Sequence, residues 1–319
     1  MTRSSAAVAR GTDTSSRGLD LSVSIGSLKL RNPVMPASGC FGPELSALAD
    51  LGCVGASVTK TVFLDVRAGN PAHRLYENGA GVFNSVGIPS LGPVGYLREI
   101  HPQYRRLPLP VITSVGAHHP RGYAEVIQQL DECADTYELN VSCPNLDNHG
   151  VEIGSDPIAI EESVSRARKS TRLPLIVKLS PMVASIGDCA RAAEAAGADA
   201  VCVSNSLPSM PVDPKTLRPA LGNSVGGLTG PSIRPIVLRL VWLTATAVSI
   251  PVIACGGIGT ATDALEYFSV GATAVQVGTA SFADPSALST VATDLAQLVA
   301  AHGAQNLAQA VSAIQGEER

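Results

Sequence analysis

Eight short runs of β-branched and other apolar residues recur along the chain, and stretches with helical spacing separate them. Nearly continuous apolar runs of this length are typical of parallel strands that are buried on both faces. Eight such strands alternating with helices favour a closed barrel over an open sheet, so the sequence predicts an α/β fold, a single (β/α)8 TIM barrel. The runs are residues 33–38, 55–61, 110–116, 137–142, 174–180, 200–206, 251–257 and 274–280.

The intervening stretches predict helices over residues 44–52, 123–134, 158–170, 186–198, 233–248, 260–272 and 285–302. Two connections, 62–109 and 207–229, are longer than ordinary loops, and we expect these extended loops to form a lid over the C-terminal face. The polar residues 1–18 are predicted to be a disordered tail. The barrel domain is expected over 19–305, followed by a C-terminal helical tail over 306–319.

Composition excludes several classes of protein. The chain has 319 residues, 45% of them apolar, which is enough to bury a large core. Its 23 Lys and Arg against 27 Asp and Glu give a net charge of −4, without the basic footprint of a nucleic-acid-binding protein. No apolar run approaches ~18 residues and the start lacks a signal peptide, so we expect a cytoplasmic protein. The seven cysteines form no CxxC pair, which gives no support for a zinc site, an iron–sulfur site or a disulfide framework.

Polar residues and glycines stand where the predicted strands end. In a TIM barrel the carboxyl ends of the strands meet at one mouth, where the active site lies. A single polar residue there would only mark the start of a loop, but so many at equivalent positions predict a site. They are Ser38, Lys60, Asn140, Ser142, Lys178, Ser204, Asn205, Ser206, Gly256, Gly257, Gly278 and Thr279.

The last two predicted strands end in glycine-containing segments, with Gly256 and Gly257 in one and Gly278 and Thr279 in the other. Loops at this position commonly bind phosphate through backbone N–H groups and a helix N-terminus. A threonine of the segment 260–262 can cap the following helix. The pattern predicts a phosphorylated ligand, which a flavin enzyme and a sugar-phosphate isomerase would share.

Two lysines lie near strand ends, although lysine is seldom buried without a partner. Lys60 and Lys178 could each face an anionic ligand, such as a reduced flavin ring or a substrate carboxylate, or form a structural ion pair with one of the few barrel acids. Asparagine amides offer both donors and acceptors to a ring with imide groups, although asparagine in a loop often serves only the turn. The asparagines concerned are Asn84, Asn140, Asn145 and Asn205.

Cys143 follows a strand and precedes a proline, so its backbone is predicted to be extended. This position carries a thiol into the mouth beside Asn140 and Asn145, where it could take a proton or act as a nucleophile. His149 could pair with it or be an exposed loop residue. The alternative is that Cys143, like most free cysteines, is a small buried hydrophobe.

Ten motifs occur in order along the chain: PASGCFG (36–42), TKT (59–61), GNPAHR (69–74), FNSVGIPS (83–90), LNVSCPN (139–145), VKLSP (177–181), SNS (204–206), GGLTGPSIRP (226–235), CGGIGTATDALE (255–266) and VGTA (277–280). Together they resemble the class 1 dihydroorotate dehydrogenases, the soluble FMN enzymes of pyrimidine synthesis. The resemblance covers about residues 20–300 and most of the predicted strand ends. It is much more specific than a single glycine loop.

The resemblance implies oxidation of (S)-dihydroorotate to orotate, with Cys143 taking the C5 proton and hydride passing from C6 to N5 of FMN. The implied substrate-binding residues are Lys60, Asn84, Ser85, Val86, Gly87, Ile88, Asn140, Asn145, Asn205 and Ser206, with the backbone amides of residues 86–88 at the orotate carboxylate. The implied FMN-binding residues are Ala37, Ser38, Lys60, Thr61, Ser114, Asn140, Lys178, Ser204 and Gly230, with the phosphate at Gly256, Gly257, Gly278 and Thr279. Ser114 departs from the asparagine of many class 1B members, which implies a weaker contact with the flavin.

The resemblance also bears on partners. The membrane-bound class 2 enzymes have serine as the base and an added N-terminal membrane helix, and this chain shows neither. PASGCFG and GGLTGPSIRP look closer to class 1B, in which a second subunit carrying FAD and a [2Fe–2S] cluster passes electrons to NAD. Any such cluster would lie on the partner. The alternative is class 1A, which comprises fumarate-reducing homodimers, and in either class we expect a homo-oligomer.

Three other interpretations remain at the level of sequence. A dihydropyrimidine dehydrogenase-like enzyme acting on uracil, thymine or another reduced ring would share the cysteine and FMN, but NSVGI and Lys60 suit a carboxylate that uracil lacks. A non-catalytic FMN-binding paralogue would not need Cys143 and both lysines. A phosphate-binding isomerase would need a carboxylate or histidine base at a strand end, and none is obvious.

Overall fold

The computed structural model describes residues 19–79, 81–130, 133–142 and 153–317. The predicted N-terminal tail lies outside these ranges. In chain order the strands are β1 (Val23–Ile25), β2 (Leu28–Leu30), β3 (Val34–Pro36), β4 (Ser57–Val58), β5 (Val66–Arg67), β6 (Leu75–Asn78), β7 (Gly81–Asn84), β8 (Ser90–Leu91), β9 (Val111–Val115), β10 (Thr136–Asn140), β11 (Leu175–Lys178), β12 (Ala200–Val203), β13 (Leu207–Ser209), β14 (Val212–Asp213), β15 (Arg218–Pro219), β16 (Gly226–Thr229), β17 (Val252–Cys255) and β18 (Ala274–Val277).

The described α-helices are α1 (Gly92–Gly95), α2 (His101–Tyr104), α3 (Pro120–Gln129), α4 (Pro157–Ser170), α5 (Ile186–Ala195), α6 (Arg234–Ala245), α7 (Ala261–Ser269), α8 (Ala280–Ala283), α9 (Ala287–Ala301) and α10 (Leu307–Glu317). Short 3-10 turns cover Pro43–Leu48, Leu51–Cys53, Ile153–Ser155 and Pro231–Ile233, and a π-helical turn covers Tyr96–Ile100. Within the described ranges, no helix has both the length and the apolar composition that crossing a bilayer requires.

Eight parallel strands form the barrel, in the order β4, β9, β10, β11, β12, β17, β18, β3 around the sheet. The two ends of this sheet meet where the backbone N–H of Gly55 donates to the carbonyl oxygen of Val34 at 2.8 Å. Each of the eight apolar runs overlaps one of these strands, so the predicted α/β barrel is confirmed.

The predicted helices are also present, with one exception. The stretch 44–52 forms two 3-10 turns instead of an α-helix. Ala49 between them has extended backbone angles, and the Asp50 side chain accepts a hydrogen bond from the N–H of Gly52 at 2.9 Å. A side chain that caps its own turn competes with helix continuation, which explains the interruption.

An antiparallel hairpin of β1 and β2 covers the amino-terminal end of the barrel. Its turn contains Gly26 at a positive φ of 54°, which glycine adopts without strain. Ile25 and Leu30 of the hairpin are fully buried and join an apolar cluster inside the barrel. The barrel residues of this cluster are Met35, Ala56, Val58, Ile112, Ile176, Ala200, Cys202, Ile253 and Ala274. A larger cluster fills the layer between the sheet and the surrounding helices.

The two long connections meet in a four-stranded antiparallel sheet with the order β13-β16-β7-β6. Strands β6 and β7 belong to the first connection, whereas β13 and β16 belong to the second. Leu228 of β16 lies opposite Phe83 of β7 in the register of this sheet. The predicted lid is therefore an ordered sheet, built jointly by both connections at the carboxyl end of the barrel.

Candidate active site

A cavity opens at the carboxyl ends of the barrel strands, beneath the four-stranded sheet. Most residues expected to bind ligand line it, although they come from distant parts of the chain. They are Ala37, Ser38, Lys60, Thr61, Asn84, Val86, Gly87, Ile88, Asn140, Lys178, Ser204, Asn205, Ser206, Gly256, Gly257, Gly278 and Thr279.

The remaining predicted site residues are placed differently. Cys143 and Asn145 lie outside the described residues. Ser85 is buried, and its Oγ accepts a hydrogen bond from Nδ2 of Asn70 at 2.8 Å instead of facing the cavity. Ser114 is also buried, with its Oγ 2.9 Å from Oγ1 of Thr61, so it contacts the cavity wall from behind.

The glycine segment after β17 lies in a tightly packed backbone. Gly257 has a φ of 69°, and a Cβ added there would lie 2.8 Å from the carbonyl oxygen of Gly230. A Cβ on Gly256 would lie 2.8 Å from Cγ2 of Val237. Gly230 itself adopts a φ of 104°. Gly256 and Gly257 leave no room for a side chain and form the cavity wall with bare backbone, whereas Gly230, predicted to bind FMN, is not one of the lining residues.

Helix α7 follows this glycine segment, and its N-terminus is capped from within. The Thr260 hydroxyl accepts from the N–H of Asp263, as the sequence predicts. The Asp263 carboxylate accepts from the N–H groups of Gly259 at 3.0 Å and Thr260 at 2.9 Å. Those two donors are thereby satisfied. An anion at this mouth would depend on the N–H groups of the upstream glycines.

Lys60 projects into the cavity from the segment that follows β4. A Cβ added to Gly39 would lie 3.3 Å from the Lys60 ammonium, so the glycine leaves room for this side chain. Burial by the surrounding walls lowers the pKa of Lys60 from its ordinary value, and nearby Arg74 acts in the same direction. A lysine with no ion-pair partner among the described residues is suited to bind a ligand carboxylate.

Two of the predicted amide residues, Asn140 and Asn205, belong to one hydrogen-bonded group, whereas Asn84 donates to the carbonyl oxygen of Gly227 at 3.3 Å. Asn140 Nδ2 donates to Thr61 Oγ1 at 3.3 Å, and Ser142 Oγ donates to Asn140 Oδ1 at 2.9 Å. Asn205 Nδ2 donates to Ser142 Oγ at 2.7 Å. Ser142 immediately precedes Cys143 in the sequence, so these hydrogen bonds hold the residue next to the cysteine in place.

The loop Val86–Ile88 is held from outside the cavity by Arg67, which sequence reasoning missed. The Arg67 guanidinium donates to the carbonyl oxygens of Gly87 and Ile88, each at 3.3 Å, and lies 4.6 Å from the centre of the Phe63 ring. Gly87 and Ile88 both adopt positive φ, of 76° and 45°. A rigid loop in this strained conformation presents a fixed wall to a ligand.

Lys178 reaches a polar layer inside the barrel that sequence reasoning also missed. Its ammonium donates to Oε1 of Gln276 at 2.9 Å, and Nε2 of Gln276 donates to Oε2 of Glu138 at 2.7 Å. Both Glu138 and Gln276 are buried. The position of these two residues in the sequence could have indicated their role. Each is a polar residue within an apolar strand run, two residues before a predicted mouth residue, and therefore lies on the same face of its strand.

Two thiols adjoin this polar layer. The Lys178 ammonium lies 3.5 Å from Sγ of Cys255, which lines the cavity. A hydrogen bond from the Cys202 thiol lowers the pKa of Cys255, with burial opposing and the Lys178 charge assisting. Cys40, at the cavity rim, behaves oppositely, since burial raises its pKa to about 11. The charge at the cavity floor is therefore concentrated around Lys178.

The fold and cavity agree with comparisons to known proteins. The family model for dihydroorotate dehydrogenase matches residues 20–299. The catalytic subunit of dihydroorotate dehydrogenase B (NAD+) from Trichlorobacter lovleyi is 45% identical over 300 residues, which cover 93% of this chain and 99% of that protein. The protein of the same name from Geotalea uraniireducens is 44% identical over 299 residues, covering 92% of this chain and 98% of the relative.

A third relative is similar over nearly the same length. The catalytic subunit of dihydroorotate dehydrogenase B (NAD+) from Desulforudis audaxviator is 43% identical over 295 residues, which cover 91% of this chain and 96% of that protein. The similarity thus extends across the barrel and both long connections, rather than being confined to one motif. The chain belongs to the dihydroorotate dehydrogenase family.

Proposed function

We propose that this protein oxidises (S)-dihydroorotate to orotate in pyrimidine biosynthesis, with FMN bound in the cavity at the barrel mouth. The observation that carries the proposal is the convergence of Lys60, Asn84, Asn140 and Asn205 in one cavity with the glycine segment and Lys178. Together they offer a cation for a carboxylate, amides for an imide ring and a bare backbone for a phosphate. Membership of the family supports the same activity.

The cavity residues fit FMN. The positions that exclude a Cβ, Gly256 and Gly257, would hold the phosphate through backbone N–H groups, together with Gly278 and Thr279. The Lys178 ammonium would lie against the ring and stabilise its negative charge after reduction. When bound, FMN supplies the chemistry of hydride acceptance.

Residues of the protein would bind the substrate carboxylate, orient the ring and take the proton. Lys60 would pair with the orotate carboxylate, assisted by backbone N–H groups of the loop that Arg67 holds in place. The asparagines would orient the pyrimidine ring through its polar edges. Cys143 would take the C5 proton as the general base, which requires the thiolate form, so turnover should rise with pH as this thiol ionises.

The electron acceptor is a further part of the proposal. The relatives' names include NAD+ and describe a catalytic subunit. We infer that a separate electron-transfer subunit, carrying FAD and a [2Fe–2S] cluster, passes electrons from this chain to NAD. A homo-oligomer of the catalytic chain and a cytoplasmic location complete the proposal.

The test is an anaerobic titration of the purified protein with dihydroorotate, followed through the visible flavin band. The proposal expects a yellow protein whose band bleaches on addition of dihydroorotate. A yellow protein that bleaches with dihydrouracil instead would overturn the substrate and favour a dihydropyrimidine dehydrogenase-like activity. A colourless protein that takes up no added FMN would overturn the cofactor as well.

A further inference from the structure

Three side chains from three barrel strands form a hydrogen-bonded line across the barrel interior. Lys178 of β11 donates to Gln276 of β18 at 2.9 Å, and Gln276 donates to Glu138 of β10 at 2.7 Å. Their exposed fractions are 5%, 1% and 0% in that order. The amide of Gln276 therefore separates a buried ammonium from a buried carboxylate.

This arrangement is costly by the ordinary rules of protein interiors. Buried charges are normally paired directly, because their attraction must offset the loss of hydration. Here Oε1 of Glu138 has no hydrogen-bond partner among the described residues. A buried carboxylate oxygen without a hydrogen-bond partner is destabilising, and such a group in a native fold calls for an explanation beyond stability.

The two charged ends of this hydrogen-bonded line lie at different depths in the barrel. Lys178 lines the cavity, whereas Glu138 and Gln276 do not. Asn140, two residues after Glu138 on β10, lines the cavity with Lys178 opposite it in the strand register. Since residues two apart on a strand share a face, Glu138 lies one layer deeper in the barrel than Asn140. The positive end of the line thus meets the ligand and the negative end lies behind it.

We propose that Gln276 and Glu138 are positioning residues that act on the cofactor through Lys178: Gln276 holds the ammonium at the cavity floor, and the Glu138 carboxylate sets how much positive charge the ammonium presents to the flavin ring. This inference rests on the proposed binding of FMN in the cavity. It deepens that proposal by assigning control of the flavin reduction potential to two residues that do not touch the ligand.

The electrostatics of Lys178 agree with this assignment. Burial lowers the pKa of Lys178, but electrostatic interaction with Cys255, Cys202 and the Glu138 carboxylate raises it, and the net shift is upward. The ammonium is therefore held in its charged form inside the barrel. The electrostatic field at the cavity combines the positive charge of Lys178 with the negative charges near it, that of Cys255 at 3.5 Å and that of Glu138 behind it.

The test is a redox titration of bound FMN in the wild-type protein and in Glu138→Gln. Glutamine keeps the shape and can still accept from Gln276, but it removes the negative charge. The ratio of reduced to oxidised flavin at a fixed potential should rise about tenfold, which corresponds to a positive shift of about 30 mV for a two-electron couple. A potential that is unchanged or more negative would overturn the proposal.

The matched control is Glu162→Gln, which removes the same charge from α4 on the surface, where Glu162 pairs with Arg166. Its potential should equal that of the wild type. A structural role for Glu138 alone would lower the melting temperature of Glu138→Gln without moving its potential. Failure of the wild-type protein to bind FMN would instead contradict the proposed function, so the two failures are distinguishable.

A second variant keeps the inference testable if Glu138→Gln does not fold. Gln276→Met has nearly the same length but loses the hydrogen bonds to Lys178 and Glu138, and the weaker one from the Cys202 thiol, so the ammonium and the carboxylate are free to approach each other. The potential should then become more negative, which is the opposite sign to Glu138→Gln. A Gln276→Met protein with the wild-type potential would show that the bridging amide does not position Lys178.

Discussion

The two ends of the barrel are built from the same strands and yet have opposite chemistry. At the amino-terminal end, inward-facing residues such as Ile112, Ile176 and Ile253 are fully buried beneath the β1–β2 hairpin. At the carboxyl end the same strands β11 and β17 finish in Lys178 and Cys255, which line the cavity. Ile176 and Lys178 are two residues apart on one strand and share its inward face.

The two ends differ in how they contribute to the free energy of folding. The closed end stabilises the fold, whereas the open end destabilises it in part. Aliphatic side chains in the closed end gain free energy from burial and leave no polar atom unsatisfied. The open end buries a lysine and a carboxylate, and one carboxylate oxygen has no partner among the described residues. Substitutions at the two ends should therefore separate folding from chemistry.

The largest effect is expected for Cys143→Ala. Removing the proposed base should lower turnover by about 10²- to 10⁴-fold, which is the usual contribution of general acid–base catalysis. Binding of FMN and orotate should persist, because only proton abstraction is lost. Steady-state turnover and the flavin absorbance of the same sample measure both. Wild-type turnover in the variant would exclude Cys143 as the base.

A control cysteine is available outside the cavity. Cys53 lies in a 3-10 turn and contacts the carbonyl oxygen of Asp50. Cys53→Ala should retain wild-type turnover, so that the loss in Cys143→Ala can be ascribed to position rather than to removal of a thiol.

The next largest effect is a loss of stability at the closed end. Ile112→Ala creates a cavity in the apolar cluster and should lower the free energy of unfolding by about 2–5 kcal/mol. Urea unfolding at a temperature where the variant is still folded measures this loss. The KM for dihydroorotate should not change. A large change in KM with unaltered stability would show that the two ends are not separable.

A smaller effect is expected for Lys60→Ala, which should weaken orotate binding by about 1.5–3 kcal/mol, as for other hydrogen bonds to charged groups. Titration of the flavin absorbance with orotate gives the dissociation constant. Stability should change little, because this side chain projects into the cavity and is not packed in the apolar core. Lys29→Ala, an exposed lysine on the hairpin at the other end, is the matched control and should bind orotate normally. Equal affinity in both variants would refute the carboxylate role.

The smallest effect is a pH dependence of the same affinity. Burial lowers the pKa of Lys60 below its ordinary value of 10.5. Lys60 is charged below that pKa and loses its charge as the pH rises through it, so orotate binding should weaken on the alkaline side. Lys60→Arg stays charged over this range and provides the reference curve, which also carries any titration of orotate itself. Parallel curves for the two proteins would contradict the assignment.

The barrel could be predicted from sequence because its strands are apolar on both faces and its helices are amphipathic. The four-stranded sheet over the mouth could not, because strands such as Leu75–Asn78 and Leu207–Ser209 are short and partly exposed, with no clear alternation. Their pairing is decided by contacts between segments more than 100 residues apart, such as Phe83 and Leu228. Such pairing cannot be predicted from local sequence patterns.

The ligand-lining residues were largely predictable, because strand ends and motifs mark them. The supporting residues were not. Glu138 and Gln276 lie inside apolar runs, where a single polar residue is easily taken as part of the core, and Arg67 acts on the loop Val86–Ile88 from outside. The partners of such residues depend on which strands are neighbours around the barrel, and periodicity alone does not give that order. Where Cys143 and Asn145 sit relative to them stays a prediction.

The sheet shared by the two long connections has a consequence for entry to the site. Because β7 pairs with both β6 and β16, the walls contributed by the two connections are joined along their backbones. Neither wall can swing away alone without breaking strand pairs. Opening the cavity therefore requires the two connections to move together. A single cut in the chain within residues 212–219 would leave the four-stranded sheet paired, and the two connections would still move as one unit.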